Sequence, residues 1–127
     1  RRAMMITMEQ ELAGKVYLKV KAREGKADAK KYGSMAHKLP ILVRTAGLAE
    51  ALAFVESRGK DPLNALLDDL AWVVSEQSRK DFVSRSRTAK MQDYMYLTRR
   101  TMLSLKWFKR FAQSVLGVDA TEEGESA

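Results

Sequence analysis

Hydrophobic residues recur at helical spacing along almost the whole chain, and no run combines β-branched residues with the two-residue alternation of a strand. The first series predicts a helix that ends near Gly25. Its apolar face comprises Met5, Met8, Leu12, Val16 and Val20. This spacing predicts an all-α protein.

Two further helices are predicted after residue 59. Asp61 is the predicted N-cap of the first and Pro62 its first helical position, because a carboxylate accepts from free N–H groups and proline is tolerated there. Its apolar face comprises Leu63, Leu66, Leu67, Leu70 and Val74. The last helix is predicted to start around residues 91–93 and to run to Gly117. Its core face comprises Tyr94, Leu97, Thr101, Leu105, Phe108, Ala112 and Val115. Residues 81–89 stay open between a short helix and a loop.

Residues 31–55 have helical spacing but contain Pro40 and Gly47. Proline in a helix interior costs about 3 kcal/mol, since it lacks an N–H and clashes with the preceding turn. We therefore predict one helix from about residue 28 to residue 38, a second opening at Pro40, and another bend at Gly47. The predicted fold is a compact, single-domain helical bundle over residues 1–118, with this broken segment at its centre.

Charge is distributed unevenly along the chain. The net charge is +7, but residues 119–127 contain four acids and no base, which leaves 23 basic and 12 acidic residues in residues 1–118. We expect the acidic tail to be disordered. A body with a net charge of +11 favours a polyanionic partner, such as RNA, DNA or an anionic surface. The alternative is a basic protein without such a partner.

Two groups of cations are candidates for binding phosphates. When the last helix is projected at 100° per residue, Arg99, Lys106 and Arg110 fall within roughly 40° of one another, away from the core face. We call these three residues the basic row. The second group, the Pro40 cluster, flanks Pro40 and comprises Lys30, Lys31, Lys38 and Arg44. The alternative for both groups is a solvated basic surface.

The two tryptophans are candidate partner contacts. Trp107 lies beside the basic row with Tyr96 and Arg100, where an aromatic ring could stack on a base or enter a partner's pocket. Trp72 lies opposite the leucine face of its helix, on an acidic side, which favours contact with another protein. Packing of either ring against a neighbouring helix or loop is the alternative.

The sequence offers no sign of catalysis. His37 is the only histidine, cysteine is absent, and no second ligand stands at metal spacing from His37. Nucleophile-elbow and glycine-rich phosphate-binding motifs are also missing. We expect no metal, no cofactor and no enzymatic activity. Without cysteines, a membrane-length apolar run or a secretory signal, the chain is expected to be cytoplasmic.

Two segments resemble a known family, the small subunit of the type III-B CRISPR RAMP-module effector complex. The first is "KKYGSMAHKLPILVRTAGLAEALAFVESRG", with its Lys-Tyr, Leu-Pro and Gly-Leu steps and its Ala-Phe helix. The second is "YMYLTRRTMLSLKWFKRFAQSVL", with a Trp-x-Lys-Arg-Phe signature. Together they span about residues 30–116. The N-terminal helix fits in length and position but carries no distinctive motif.

The resemblance implies an all-helical subunit that is not a nuclease. Several copies would line up along an antiviral ribonucleoprotein, beside the RAMP backbone subunits that grip the guide RNA and cleave the target. The small subunits would help to hold target RNA paired with the guide. The basic row would then face RNA phosphates, together with Lys31, Lys38 and Arg44 of the Pro40 cluster. Trp72 would be available to other subunits or copies.

Two other hypotheses stay open from the residues alone. One is a DNA-binding regulator whose helix-turn-helix has its turn at Gly47, although the following helix "LAEALAFVESR" offers few side chains that read base edges. The other is a small helical enzyme with His37 as general base.

Overall fold

The computed structural model describes residues 6–120 and contains six helices within that range. They are α1 (Met8–Lys21), α2 (Ala29–Ala46), α3 (Leu48–Arg58), α4 (Asp61–Val73), α5 (Arg79–Thr88) and α6 (Met91–Ser114). None of the described residues lies in a strand, and the all-α prediction is confirmed. No helix in this range has the length and apolarity needed to cross a membrane.

A reciprocal cap starts α1. The Thr7 hydroxyl accepts from the Gln10 N–H at 3.0 Å, and the Gln10 side-chain oxygen accepts from the Thr7 N–H at 2.8 Å. Leu12, Val16 and Val20 are buried, as the spacing predicted. Met5, which was predicted on the same face, lies outside the described residues.

The predicted helix break at Pro40 is wrong, because α2 runs without interruption from Ala29 to Ala46. The missing N–H and the steric clash of proline cost about 3 kcal/mol in a helix interior. Burial offsets that cost: Leu39, Pro40 and Val43 are all buried, and α2 packs against α3, α4 and α6. Tertiary packing therefore overrides the local preference.

The second predicted bend, at Gly47, is confirmed. Gly47 has φ 91° and ψ 159°, a backbone conformation that side-chain-bearing residues rarely adopt. Its N–H donates to the Val43 carbonyl, which ends α2, and its own carbonyl accepts from Ala51 at the start of α3. The Tyr94 hydroxyl of α6 accepts from the Ala49 N–H at 3.3 Å and holds the junction against α6.

Helix α4 lies at the centre and packs against the other five helices. The predicted leucine face is buried: Leu63, Leu66, Leu67, Leu70 and Val74. The predicted cap is wrong by one residue, since Lys60 has the extended backbone of the N-cap and Asp61 and Pro62 fill the first turn. Both residue types suit that turn, because a carboxylate complements the helix dipole and proline needs no partner for an N–H there.

The ambiguous segment 81–89 belongs largely to α5, a helix of 10 residues. The Ser78 hydroxyl caps it by accepting from the Asp81 N–H at 3.1 Å, and Phe82, Val83 and Ser86 are buried. Helix α6 extends for 24 residues and buries most of its predicted face. Tyr94 and Val115 are only partly buried.

The chain after α6 turns back onto α2. Val118 is buried, its N–H donates to the Ala112 carbonyl at 2.9 Å, and its side chain lies directly on Gly33. A Cβ at Gly33 would be only 2.9 Å from two Val118 carbons, so glycine permits this approach. The prediction of a disordered tail concerns mainly residues 121–127, which lie outside the described residues.

Candidate nucleic-acid interface

The basic row lies on the outer surface of α6, opposite the buried Leu97, Leu105 and Phe108. Arg99, Lys106 and Arg110 are all exposed. At 1.5 Å per residue the row is about 16 Å long. Three cations spaced along one exposed helix face can follow a phosphate backbone.

The three cations of the basic row have different partners. Lys106 Nζ lies 2.5 Å from Glu9 of α1, whereas Arg99 and Arg110 have no hydrogen bond or ion pair within residues 6–120. Glu9 also accepts from the Trp107 indole N–H at 3.0 Å. These two hydrogen bonds hold the pKa of the Glu9 carboxyl below its usual value. The charges available to an external anion are therefore mainly those of Arg99 and Arg110.

The aromatic residues beside the row differ in availability. Tyr96 is 55% exposed, so much of its ring faces solvent. The Arg100 guanidinium lies 5.7 Å from the centre of this ring. Trp107 is only partly exposed, packs against Phe111 at 5.6 Å, and uses its N–H on Glu9. A base has more ring surface to stack on at Tyr96 than at Trp107.

The structure brings together only part of the Pro40 cluster. Lys31 and Lys38 stand two turns apart on one side of α2, whereas Arg44 lies roughly 120–140° around the helix from them. Lys30, Lys31 and Arg44 are exposed. Lys38 is partly buried at the rim of an apolar groove that includes Ile41 and Phe54. A single phosphate strand along α2 would meet Lys31 and Lys38 but not Arg44.

Trp72 is 44% exposed, and lysines of α1 cover part of its ring. Lys19 Nζ lies 4.4 Å and Lys15 Nζ 5.6 Å from the ring centre. One of the acids beside it turns inward: Asp69 accepts from the Tyr32 hydroxyl at 2.5 Å. Burial raises the pKa of both the Asp69 carboxyl and the Tyr32 phenol. Trp72 thus both packs against α1 and retains an exposed edge.

His37 is buried and serves the packing of the C-terminal segment. It is 5% exposed, and its Nε2–H donates to the Val118 carbonyl at 2.8 Å. Its Nδ1 has no hydrogen-bond partner among the described residues. Within residues 6–120 no three His, Cys, Asp or Glu side chains come close enough to hold a metal ion. These contacts give His37 a structural role.

Sequence reasoning missed a third group of cations, on α5. Lys80 and Arg87 are exposed beside a cleft between α3, α4 and α5, and Arg79 lies deeper in it. The missed signal was the spacing of Lys80, Ser84 and Arg87, which share a face once residues 79–88 are taken as a helix.

The exposed side of α3 argues against a recognition helix. It carries Glu50 and Glu56 together with Ala53, Phe54 and Ser57. Carboxylates at these positions would repel DNA phosphates, and α3 contains neither asparagine nor glutamine. Its one arginine, Arg58, is the last residue of the helix and lies over the Phe54 ring at 5.6 Å. The turn at Gly47 therefore lacks the helix that a helix-turn-helix reader needs.

Fold and surface together define a class: a small all-helical protein that presents cations on its outer faces. Residues 8–115 match the family model of the CRISPR-associated protein Cmr5. The match covers all six helices, from the start of α1 to the end of α6. The chain belongs to the Cmr5 family, which confirms the resemblance to the type III-B small subunit.

Two relatives agree with this assignment. The CRISPR system Cmr subunit Cmr5 of Thermus thermophilus is 43% identical over 112 residues, which cover 88% of this chain and 98% of that protein. The crystal structure of a Cmr5 family protein from Thermus thermophilus superimposes with a TM-score of 0.84, again at 43% identity. That comparison covers 88% of this chain and 99% of the solved one.

Proposed function

We propose that this protein is a non-catalytic, RNA-contacting structural subunit of a cytoplasmic type III-B CRISPR effector complex. Several copies stack along the ribonucleoprotein and help to hold target RNA paired with the guide RNA. The observation that carries the RNA-contacting role is that Arg99 and Arg110 are exposed on the outer face of α6 without a partner in residues 6–120. Family membership supports the place in the complex.

The proposed contact is electrostatic and independent of sequence. Guanidinium groups donate paired hydrogen bonds to phosphate oxygens, and phosphate contacts fix a nucleic acid without reading its bases. In such a complex the guide RNA supplies sequence by base pairing, so the small subunit needs only to stabilise the backbone. Tyr96 adds a ring on which an unpaired base can stack.

Lys106 adds to the surface on α6, and the cations of α2 provide further contacts. Lys106 is 54% exposed in its side chain, and exchanging Glu9 for a phosphate would keep it paired with an anion. Lys31 and Lys38 of α2 supply a second short row, and Arg44 a separate contact. Binding of RNA would then be spread over several weak contacts, which suits a subunit that acts as one of many copies.

Protein partners would use the remaining faces. Trp72 is the better candidate contact to the RAMP backbone subunits or to another copy, because its exposed edge keeps apolar area to bury. Trp107 already donates its N–H to Glu9, so it would serve chiefly to hold α6 against α1. Target cleavage would belong to neighbouring subunits, in keeping with the structural role of His37.

An RNA titration of the assembled complex tests the proposal. The variant Arg99→Glu/Arg110→Glu should lower the affinity for target RNA by about tenfold or more, because two phosphate contacts become repulsive. The matched control is Lys26→Glu/Lys90→Glu, which makes the same change in net charge at two exposed lysines that lie outside the basic row and have no ion pair within residues 6–120. The control should retain affinity to within about twofold.

Stability is measured on the same variants. The free energy of unfolding of both variants should lie within about 0.5 kcal/mol of that of the parent protein, because exposed charges away from the core contribute little to stability. An α6 variant that assembles normally and binds target RNA with unchanged affinity would remove the basic row from the interface. An equal loss of RNA affinity in the α6 variant and in the control would mean that binding depends only on the net charge of the subunit.

A further inference from the structure

A third group of cations lies on the part of the molecule built by α3, α4 and α5. Its centre is a cleft of about 560 Å³. The lining residues are Glu56, Asp68, Ser78, Arg79, Lys80, Val83, Ser84 and Arg87. None of these residues belongs to α6, so this cleft and the basic row are separate surfaces.

The cations of the cleft are aligned. Lys80, Ser84 and Arg87 fall within a sector of roughly 60° on α5, one or two turns apart. Lys80 and Arg87 are exposed and have no ion pair or hydrogen bond within residues 6–120. They repeat on α5 the arrangement that Arg99 and Arg110 have on α6.

The acids of the cleft are unequal. Asp68 lies 3.6 Å from Arg79 Nε, and the two form an ion pair of opposite charges. Glu56 has no ion pair among the described residues and is the carboxylate that would oppose an incoming anion. Lys80 and Arg87 outnumber it, and the Ser84 hydroxyl adds a donor beside them.

We propose that this cleft, the α5 cleft, is a binding site for the phosphate backbone of a nucleic acid, separate from the basic row and from the cations of α2. This proposal rests on the proposed function, because it takes RNA as the ligand. Backbone binding uses arginine, lysine and serine donors, and all three types line the cleft. A protein partner is less suited, because an interface hot spot needs apolar area and Val83, the one large apolar residue of the lining, is buried.

Two separate basic surfaces have a structural consequence. One copy of the protein contacts two backbone segments at once, one along α6 and one at α5. A bridging subunit fixes the spacing of two strands or of two parts of one strand, and binding at the second site becomes intramolecular.

Chemical-shift mapping of the full chain with a short single-stranded RNA at low salt tests this site. At 14.4 kDa the protein is small enough for its backbone amides to be followed one by one. We expect concentration-dependent shifts at the amides of Ser78, Lys80, Ser84 and Arg87, and separately at Arg99 and Arg110. Lys80→Glu should weaken the α5 binding curve about threefold or more and leave the α6 curve unchanged.

Two further variants complete the test. Glu56→Gln should strengthen binding at the α5 cleft, because it removes the opposing carboxylate, whereas Lys26→Glu should change neither curve. Shifts only along α6 would overturn the α5 site and leave the proposed function standing. Shifts only at α5 would overturn the basic row instead. No shift at millimolar RNA would overturn both, and equal weakening of α5 binding by Lys26→Glu would overturn the cleft as a specific site.

Discussion

The middle of α2 and the outer face of α6 both contain residue types that are common in functional sites: a histidine in α2 and a row of cations on α6. In α2 the only histidine of the chain stands three residues before a proline, and both are buried. His37 donates to the carbonyl of Val118. On α6 the guanidinium groups of Arg99 and Arg110 are exposed and have no partner within residues 6–120.

The comparison shows that the rarity of a residue type is a weaker indication of a binding role than exposed hydrogen-bond donors that have no partner in the protein. His37 is chemically versatile, but its environment uses it for packing. Arginine is common, but a pair of exposed guanidinium groups in line retains its full capacity to bind an anion. We therefore expect changes at the buried positions of α2 to affect stability and changes at the exposed cations of α6 to affect binding.

The largest effect on stability should come from Gly33. Gly33→Ala places a Cβ 2.9 Å from two side-chain carbons of Val118, so the C-terminal segment must shift. We expect a loss of about 1–3 kcal/mol in the free energy of unfolding, measured by urea denaturation. Gly14→Ala is the matched control, because nothing lies within 4 Å of its new Cβ and alanine favours a helix by up to about 1 kcal/mol. Similar effects of both substitutions would contradict the close approach of Val118 to Gly33.

A smaller loss of stability is expected for His37→Leu. The leucine leaves the Val118 carbonyl without its donor, at a cost of about 1–2 kcal/mol. The affinity of the assembled complex for RNA should not change. If RNA binding or another activity were lost while the free energy of unfolding stayed at the parent value, the comparison between α2 and α6 would fail.

The effect of Asp69→Asn should depend on pH. Because the folded-state pKa of the Asp69 carboxyl is raised, the folded protein holds this proton more tightly than the unfolded chain. The stabilisation that this carboxyl gives the folded state is fully present at pH values below its pKa in the unfolded chain. It is lost as the pH rises through its pKa in the folded protein. The asparagine does not titrate, so the variant should gain stability relative to the parent as the pH rises from about 4 towards neutrality. If the urea midpoints of the parent and of Asp69→Asn changed in parallel across this pH range, the raised pKa of Asp69 would be contradicted.

The smallest effect concerns Glu9. Glu9→Gln removes the anion that pairs with Lys106 and leaves that lysine available to phosphate. Target-RNA affinity of the complex should rise about twofold to threefold. The Trp107 fluorescence of the free protein should change as well, because the carboxylate accepts from its indole N–H. Glu11→Gln, an exposed acid of α1 that does not contact Lys106, is the control. An equal rise in affinity for both variants would show that the Glu9–Lys106 pair has no special part.

Much of the fold could be predicted because helical spacing is local information. The leucine face of α4 and the core face of α6 both follow from a repeat of 3.6 residues. The break at Pro40 was predicted wrongly, since burial of that proline depends on the packing of α2 against other helices, which a local pattern does not contain. The position of Gly47 could be found because its backbone requirement is local.

The candidate site was predictable only in outline. Projection of α6 placed Arg99, Lys106 and Arg110 correctly on one face, but it could not show that Glu9 of α1 pairs with Lys106. The α5 cleft was missed because it exists only where three helices meet. Pairing between distant elements decides which charges remain available, and a helical projection contains no such information.

The salt dependence of RNA binding by the assembled complex tests the central claim most directly. Affinity is measured from about 50 mM to 200 mM salt for the parent complex and for Arg99→Ala/Arg110→Ala. If both guanidinium groups bind phosphates, the slope of log affinity against log salt becomes less steep by about 1.4–1.8 for each copy that contacts the RNA. An unchanged slope, with the variant fully incorporated, would contradict the account.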